Sequence, residues 1–260
     1  MAEGQSPLEQ FKIVRLINMC VGGASSVDAD GKYHCSGLDL SFTNSALYMV
    51  VVIALITLFL TAGMRARALV PGRWQSMAEL SYEFIANMIR ENVGNEGKKY
   101  FPFIFSLFMF VLFANVLGLI PVPGKFTVTS HIIVTFSFAA VVFVGVTIIG
   151  FVRHGLHFLH FFFPSGAPLW TAPVLIPIEI ISYLSRPISL SVRLFANMTV
   201  GHVILAVIAG FMVKVGLLLI VPGTAFLVVF TGLEIGIACL QAYIFAILSC
   251  VYLNDAIHMH

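Results

Sequence analysis

A stripe of polar side chains runs along one face of a strongly apolar segment between residues 171 and 213. The stripe begins at an acid, and its later members follow at offsets of 3, 7, 10, 14 and 18 residues. These offsets fall on one side of a helix with 3.6 residues per turn. Lipid cannot satisfy such a face, which must look into protein or a water-filled cleft. The stripe comprises Glu179, Ser182, Arg186, Ser189, Arg193 and Asn197.

Arg193 lies near the middle of this segment, where inserting an arginine into a bilayer costs about 2.5–3.5 kcal/mol. Its guanidinium does not deprotonate in proteins, so it cannot relay protons. It can act as a fixed positive charge that repels cations and attracts a carboxylate. A structural arginine with a carboxylate partner is the alternative, although Glu179, an acid of the same stripe, is fourteen residues away. Arg186 lies nearer one end and could extend its charge to the membrane surface.

A second pair of titratable side chains is formed by His202, nine residues beyond Arg193, and Glu234 in the last apolar segment. If the last two apolar segments form an antiparallel hairpin that turns near 214–223, the two side chains lie at similar depth. They could then share a proton, because histidine readily changes charge near neutral pH. The alternative is a static hydrogen bond that only holds the hairpin together. Gln241 and Tyr252 are further polar residues of the last segment.

The composition excludes an ordinary soluble domain. Hydrophobic residues make up 59% of the 260 residues and charged residues only 10%, whereas soluble domains carry about 25% charged residues. The net charge of +2 and the lack of a basic run give no reason to expect a nucleic-acid partner. We therefore expect an all-α membrane protein in contact with membrane lipid.

Five stretches are apolar and long enough to cross a bilayer, which requires roughly 20 residues. The last two exceed that length and must tilt, bend or project into water, with prolines at 173, 177 and 187 as possible bending points. Residues 74–92 repeat apolar side chains at helical spacing and predict a helix on the membrane surface or against a partner. We thus expect about five transmembrane helices, the last two forming a long tilted hairpin. The predicted spans are 43–63, 101–120, 129–151, 171–213 and 217–255.

The first 40 residues are more polar than the rest, so the chain divides into an N-terminal segment, 1–40, and a helical membrane domain, 41–260. An amphipathic pattern from Pro7 through Leu16 predicts a surface helix followed by a loop. Cys20 and Cys35 could pair if this segment faces an oxidising compartment, and two unrelated thiols are the alternative. Arginines at 65, 67 and 73 follow the first span and favour the inside. The N-terminus is then outside and the C-terminus inside.

The run from Pro187 to His202, PISLSVRLFANMTVGH, closely resembles the signature of subunit a of F-type ATP synthases. The later runs LQAYIF at 240–245 and VYL at 251–253 resemble the last helix of the same family. The resemblance covers about residues 40–256. It implies a non-catalytic stator subunit beside a ring of c subunits, with peripheral-stalk b subunits and the remainder of the synthase as further partners. It implies no cofactor or metal, and a bacterial inner membrane, with the mitochondrial inner membrane as the alternative.

The resemblance also implies roles for individual residues. Arg193 would face the ring carboxylate and separate two offset half-channels for protons. The outer half-channel would use His202 and Glu234, with Asn197 and Gln241 close by. The order is histidine then glutamate here, whereas some members have glutamate then histidine, and one acid and one imidazole remain in either case. The inner half-channel would be lined by Glu179, Ser182 and Tyr252.

Two other functions remain possible from the residues themselves. A stand-alone secondary transporter or channel could bind an anionic solute at Arg193, but the chain shows no internal repeat of the kind on which many transporters are built. A haem or metal enzyme could use His131 or the histidines at 154, 157 and 160. Consecutive i, i+3 spacing drifts around a helix, which argues against a shared metal site.

Overall fold

The computed structural model describes residues 15–18, 20–21, 25–27, 33–35, 38–39, 41–64, 71–120, 127–155, 171–215 and 220–258. Six α-helices dominate this part of the chain. All except the second are long and apolar enough to cross a membrane, which confirms the predicted class of fold. Short 3-10 turns at Asn95–Tyr100 and Val128–Ser130 precede the third and fourth helices. The helices are α1 (Asn44–Met64), α2 (Arg73–Asn92), α3 (Phe101–Leu119), α4 (Ile132–His154), α5 (Ala172–Val215) and α6 (Ile220–Ile257).

The segment before α1 contains three nested antiparallel strand pairs rather than a helix. The prediction of a surface helix up to Leu16 is wrong at Arg15–Ile17, which is a strand, while residues 7–14 lie outside the described part. Pairing with Phe42–Thr43 gives this strand hydrogen bonds that the local pattern does not reveal. The pairs are β1 (Arg15–Ile17) with β6 (Phe42–Thr43), β2 (Cys20–Val21) with β5 (Leu38–Asp39), and β3 (Ser25–Val27) with β4 (Tyr33–Cys35).

The N-terminal segment also holds a disulfide. Cys20 is disulfide-bonded, whereas Cys239 and Cys250 are free thiols on α6. The predicted pairing of Cys20 with Cys35 involves a side chain that lies outside the described residues.

The last two helices are far longer than a perpendicular crossing requires. α5 has 44 residues and α6 has 38, and 44 residues extend about 66 Å at 1.5 Å per residue. The hydrocarbon core is about 30 Å thick. α5 continues as one helix through Pro177 and Pro187, which the sequence suggested as bending points.

The core lies where α3 and α4 pack against α5 and α6, with α1 at the periphery against α2 and α3. Its largest buried side chains include Ile85, Ile104, Met109, Leu194 and Phe245. For the members that lie in the membrane spans, close packing stabilises these contacts, since lipid is as apolar as the side chains themselves. The hairpin of α5 and α6 therefore has one face fixed to the bundle and one face left open.

The helix predicted at residues 74–92 is present as α2. Its buried side chains are Ala78, Ile85, Met88 and Ile89, whereas the apolar residues Met77, Leu80 and Phe84 are exposed. Apolar side chains thus occur on both the packed and the open side of α2. This distribution suits a helix that lies in the membrane interface.

Candidate functional site

Arg193 lies on the open face of α5. Its guanidinium makes no hydrogen bond or ion pair with the residues that the structure describes, and the side chain is exposed. The next residue, Leu194, is 0% exposed and belongs to the core. Val192 on α5 and Leu240 on α6 are large apolar residues that are also exposed. A permanent charge therefore sits on a surface that is otherwise largely apolar.

The polar residues that lie beyond Arg193 toward Val215 form what we call the upper group: Asn197, His202, Glu234 and Gln241. Asn197 Nδ2 donates a hydrogen bond of 3.0 Å to Gln241 Oε1 across the hairpin. Gln241 is 0% exposed, His202 2% and Glu234 6%. These burials mean that each side chain must be satisfied by protein or by internal water.

His202 contacts the segment that precedes α4. Its Nε2 and the Thr127 hydroxyl are hydrogen-bonded at 3.1 Å. The Glu234 carboxylate lies against Gly201, the residue beside His202, so closely that a Cβ at position 201 would collide with it. The structure thus brings all four residues predicted for the outer half-channel to one side of Arg193.

A cavity of about 280 Å³ connects members of the upper group between α5 and α6. Asn197, Gly201 and Glu234 line it on the polar side, and Met198 and Phe230 are among its apolar neighbours. The cavity therefore extends from the first turn after Arg193 to the buried carboxylate.

The sequence did not single out Asn115 or Thr127, two buried polar residues near the upper group. Asn115 is fully buried on α3, and its amide donates to the Ala238 carbonyl at 3.5 Å. A lone asparagine within an apolar span is a signal that could have found it, since polar groups at that depth are costly. Thr127 lies just before the 3-10 turn that leads into α4, and no local sequence pattern links it to His202.

On the other side of Arg193, toward Ala172, lies what we call the lower group: Tyr183, Arg186, Tyr252 and Asp255. Arg186 Nη1 donates to Asp255 Oδ2 at 3.0 Å, and its guanidinium carbon lies 5.6 Å and 5.1 Å from the ring centroids of Tyr183 and Tyr252. Arg186 is thus paired rather than extended alone to the surface. Asp255 was missed, although it follows Tyr252 by three residues and so faces the same side of α6.

Glu179 and Ser182 lie further along α5 from Arg193. Glu179 is half-buried and Ser182 exposed, and neither side chain makes a hydrogen bond or ion pair within the described ranges. Glu179 lies about 21 Å along the helix from Arg193, at 1.5 Å per residue. Glu179 and Ser182 therefore lie on the same side of Arg193 as Tyr252. The three side chains do not form one contact cluster.

The candidate metal ligands do not assemble in the described part of the chain. No group of three or more His, Cys, Asp or Glu residues that could hold a metal occurs among the described residues. His154 contacts the Ile257 carbonyl at 3.2 Å, which ties the end of α4 to the end of α6. His157 and His160 lie outside the described residues.

The chain is similar to known proteins over almost its whole length. A family model described as the ATP synthase A chain matches residues 46–254. The ATP synthase subunit a of Paramagnetospirillum magneticum is 63% identical over 259 residues, which cover 98% of this chain and 99% of the relative. That of Rhodospirillum rubrum is 54% identical over 255 residues, with 98% and 99% covered. That of Mesorhizobium japonicum is 51% identical over 265 residues, with 99% and 98% covered.

The family match reaches into all five apolar helices and includes Arg193, the whole upper group and every member of the lower group except Asp255. Given this coverage and these identities, the chain belongs to the ATP synthase subunit a family.

Proposed function

We propose that this chain is the proton-translocating stator subunit of a rotary F-type ATP synthase and works against a ring of c subunits. The observation that carries the proposal is Arg193, an exposed cation that forms no ion pair with any described residue, on an apolar face with a polar group on either side of it. Leaving such a cation in lipid costs about 2.5–3.5 kcal/mol. A partner surface that brings a carboxylate removes this cost.

The fixed charge of Arg193 explains how rotation is coupled to proton flow. A ring carboxylate is costly to expose to lipid when ionised, so it crosses the lipid in its protonated form. It ionises only beside Arg193, where the guanidinium stabilises the negative charge. Because Arg193 keeps its own proton, protons cannot pass through it from one half-channel to the other.

The upper group is suited to the outer half-channel. His202 and Glu234 supply one imidazole and one acid, which can pass a proton between them. Asn197 and Gln241 continue the polar surface toward Arg193. The cavity of about 280 Å³ admits several water molecules, because one water takes about 30 Å³ in the liquid.

The inner half-channel uses Glu179, Ser182 and Tyr252. Glu179 lies on the same polar stripe as Arg193 and is half-buried, so it can accept a proton on the way to the inner surface. The pair of Arg186 and Asp255 holds α5 and α6 together beside this path. Glu179 and His202 lie on opposite sides of Arg193. A proton must therefore be carried on a ring carboxylate, as the ring rotates, to pass from one half-channel to the other.

The proposed setting is a bacterial inner membrane, with residues 1–40 outside and the C-terminus inside. The disulfide at Cys20 supports this orientation, since disulfides persist on the oxidising side of that membrane. Residues 41–260 form the membrane domain. Peripheral-stalk b subunits and the rest of the synthase complete the assembly. A mitochondrial inner membrane is the alternative, but the three relatives described above are bacterial.

A cysteine in place of Ser189 is expected to crosslink to the c ring, because Ser189 is exposed one turn from Arg193. The partner cysteine is placed beside the ring carboxylate, and the exposed Cys239 is changed to serine. The crosslink should stop ATP-driven proton pumping, and reduction should restore it. Leu58→Cys is the matched control, because Leu58 is also exposed but lies on α1, which packs against α2 and α3. A stand-alone anion transporter, which family membership does not favour, would form no such crosslink.

Gly201→Ala is expected to slow proton pumping severalfold without changing the amount of assembled complex. The added methyl group would displace the Glu234 carboxylate, and the flexible end of that side chain can move without unfolding the hairpin. Gly210→Ala on the same helix is the control, since a Cβ there meets nothing within 4 Å. Pumping in vesicles and complex recovery measure the two effects. Equal pumping by both variants would contradict the proposed role of the Glu234 position.

A further inference from the structure

A separate cavity of about 480 Å³ lies where the start of α3 meets the end of α4. Because α3 and α4 are successive antiparallel spans, these two helix ends lie on the same side of the membrane. Glu96, Lys99 and Tyr100 line one wall, and the last turns of α4 line the other. None of the residues that line this cavity belongs to α5 or α6, so the cavity is separate from the site around Arg193.

The two walls of this cavity differ in chemistry. Ile148, Ile149 and Val152 form an apolar floor, and Val152 is 82% exposed, so the floor opens toward lipid. Lys99 and Arg153 form a basic rim. An apolar groove below a basic rim matches the two parts of a phospholipid, an acyl chain and a phosphate.

The charges on the rim are not fully balanced. Arg153 forms an ion pair with Glu96. Lys99 is exposed and makes no hydrogen bond or ion pair within the described ranges, and Lys98 beside it is also exposed. Two cations, Lys99 and Arg153, thus line the cavity with one acid, Glu96, and the surplus is positive. Such a surplus attracts an anionic group.

We propose that this cavity binds an anionic phospholipid, such as phosphatidylglycerol or cardiolipin. Lys99 and Arg153 hold its phosphate, and an acyl chain lies along the floor formed by Ile148, Ile149 and Val152. Basic pockets between transmembrane helices bind such headgroups on the inner side of membranes. A free phosphate ion would gain nothing from the apolar floor, so the lipid is favoured over the ion. The lipid would brace the ends of α3 and α4 and so steady the bundle against which α5 and α6 pack.

Photo-crosslinking of the assembled synthase in phosphatidylcholine vesicles tests this site. The probe is phosphatidylglycerol with a diazirine in its acyl chain, and peptide mass spectrometry locates the label. We expect label on the end of α4, at Ile148–Arg153. Unlabelled phosphatidylglycerol should displace the probe, whereas extra phosphatidylcholine or inorganic phosphate should not.

Lys99→Gln should weaken labelling about fivefold, which corresponds to about 1 kcal/mol for one cation near the surface. Arg90→Gln is the matched control, because Arg90 is an exposed cation on α2 that does not line the cavity. Both exchanges are at exposed side chains, so assembly should be unchanged. Equal loss in both variants, or displacement by phosphatidylcholine, would overturn the proposal. The proposal would also be overturned if another subunit blocked labelling at the end of α4, because the cavity would then be occupied by protein.

Discussion

Arg193→Ala is expected to abolish ATP-driven proton pumping while the synthase stays assembled. Arg193 is exposed and makes no hydrogen bond or ion pair with the described residues, so we expect its loss to remove charge but little packing. The ring carboxylate then has no cation beside which to ionise. Losing about 3 kcal/mol of stabilisation at a desolvated charge slows a step by about 100-fold or more.

Acidification of vesicles that hold the assembled complex measures this loss, with ATP hydrolysis recorded in parallel. Ser189→Ala is the matched control, since Ser189 occupies the same open face one turn away but carries no charge. The control should pump near the wild-type rate. Pumping near that rate in Arg193→Ala would mean that the arginine is structural and that something else separates the half-channels.

Glu234→Gln is expected to slow pumping by about 100-fold, because the amide keeps the shape of the buried side chain but cannot deliver a proton. Thr231→Val, one turn earlier on α6, is the control. The Thr231 hydroxyl donates a hydrogen bond of 2.8 Å to the Leu227 carbonyl of its own helix. If Glu234→Gln pumps normally, the carboxylate has only a structural role in holding α5 and α6 together.

Exchanging the two titratable residues sharpens this experiment. His202→Glu alone places two acids together, and Glu234→His alone places two imidazoles together, so each variant should pump poorly. The double variant restores one acid and one imidazole, the two groups that the proposed relay needs. Its pumping should therefore exceed that of either single variant. A double variant no better than the single ones would mean that the relay depends on which residue faces Thr127, the hydrogen-bond partner of His202.

Much of the fold could be predicted because a bilayer leaves few options. Backbone polar groups must be satisfied within each segment, so long apolar runs become helices. The predicted span 43–63 differs from α1 by one residue at each end, and the predicted span 101–120 begins where α3 begins and ends one residue later. The first N-terminal strand, β1, could not be predicted in this way, because its hydrogen bonds come from β6, which is distant along the chain. The amphipathic pattern that ends at Leu16 carries no sign of Phe42–Thr43, its partner across the ladder.

In the candidate site, too, local sequence predicts some features and contacts between distant residues decide the others. Helical periodicity alone places Arg193 and Asn197 on one stripe and sets His202 apart from it. It cannot say which partner each side chain finds, since the hydrogen bond from Asn197 joins residues 44 positions apart and that of His202 spans 75. The partner of Arg186, Asp255, is 69 positions away and escaped notice for the same reason.

The residue types and their period were enough to establish a helical membrane protein with a permanent charge in mid-span and a titratable pair beyond it. They did not establish that the face carrying Arg193 is left open while Leu194 is buried, because burial depends on which neighbours cover each side of a helix. That outcome follows from the packing of α3 and α4 against α5 and α6, which covers one side of the hairpin and leaves the charged side for a partner.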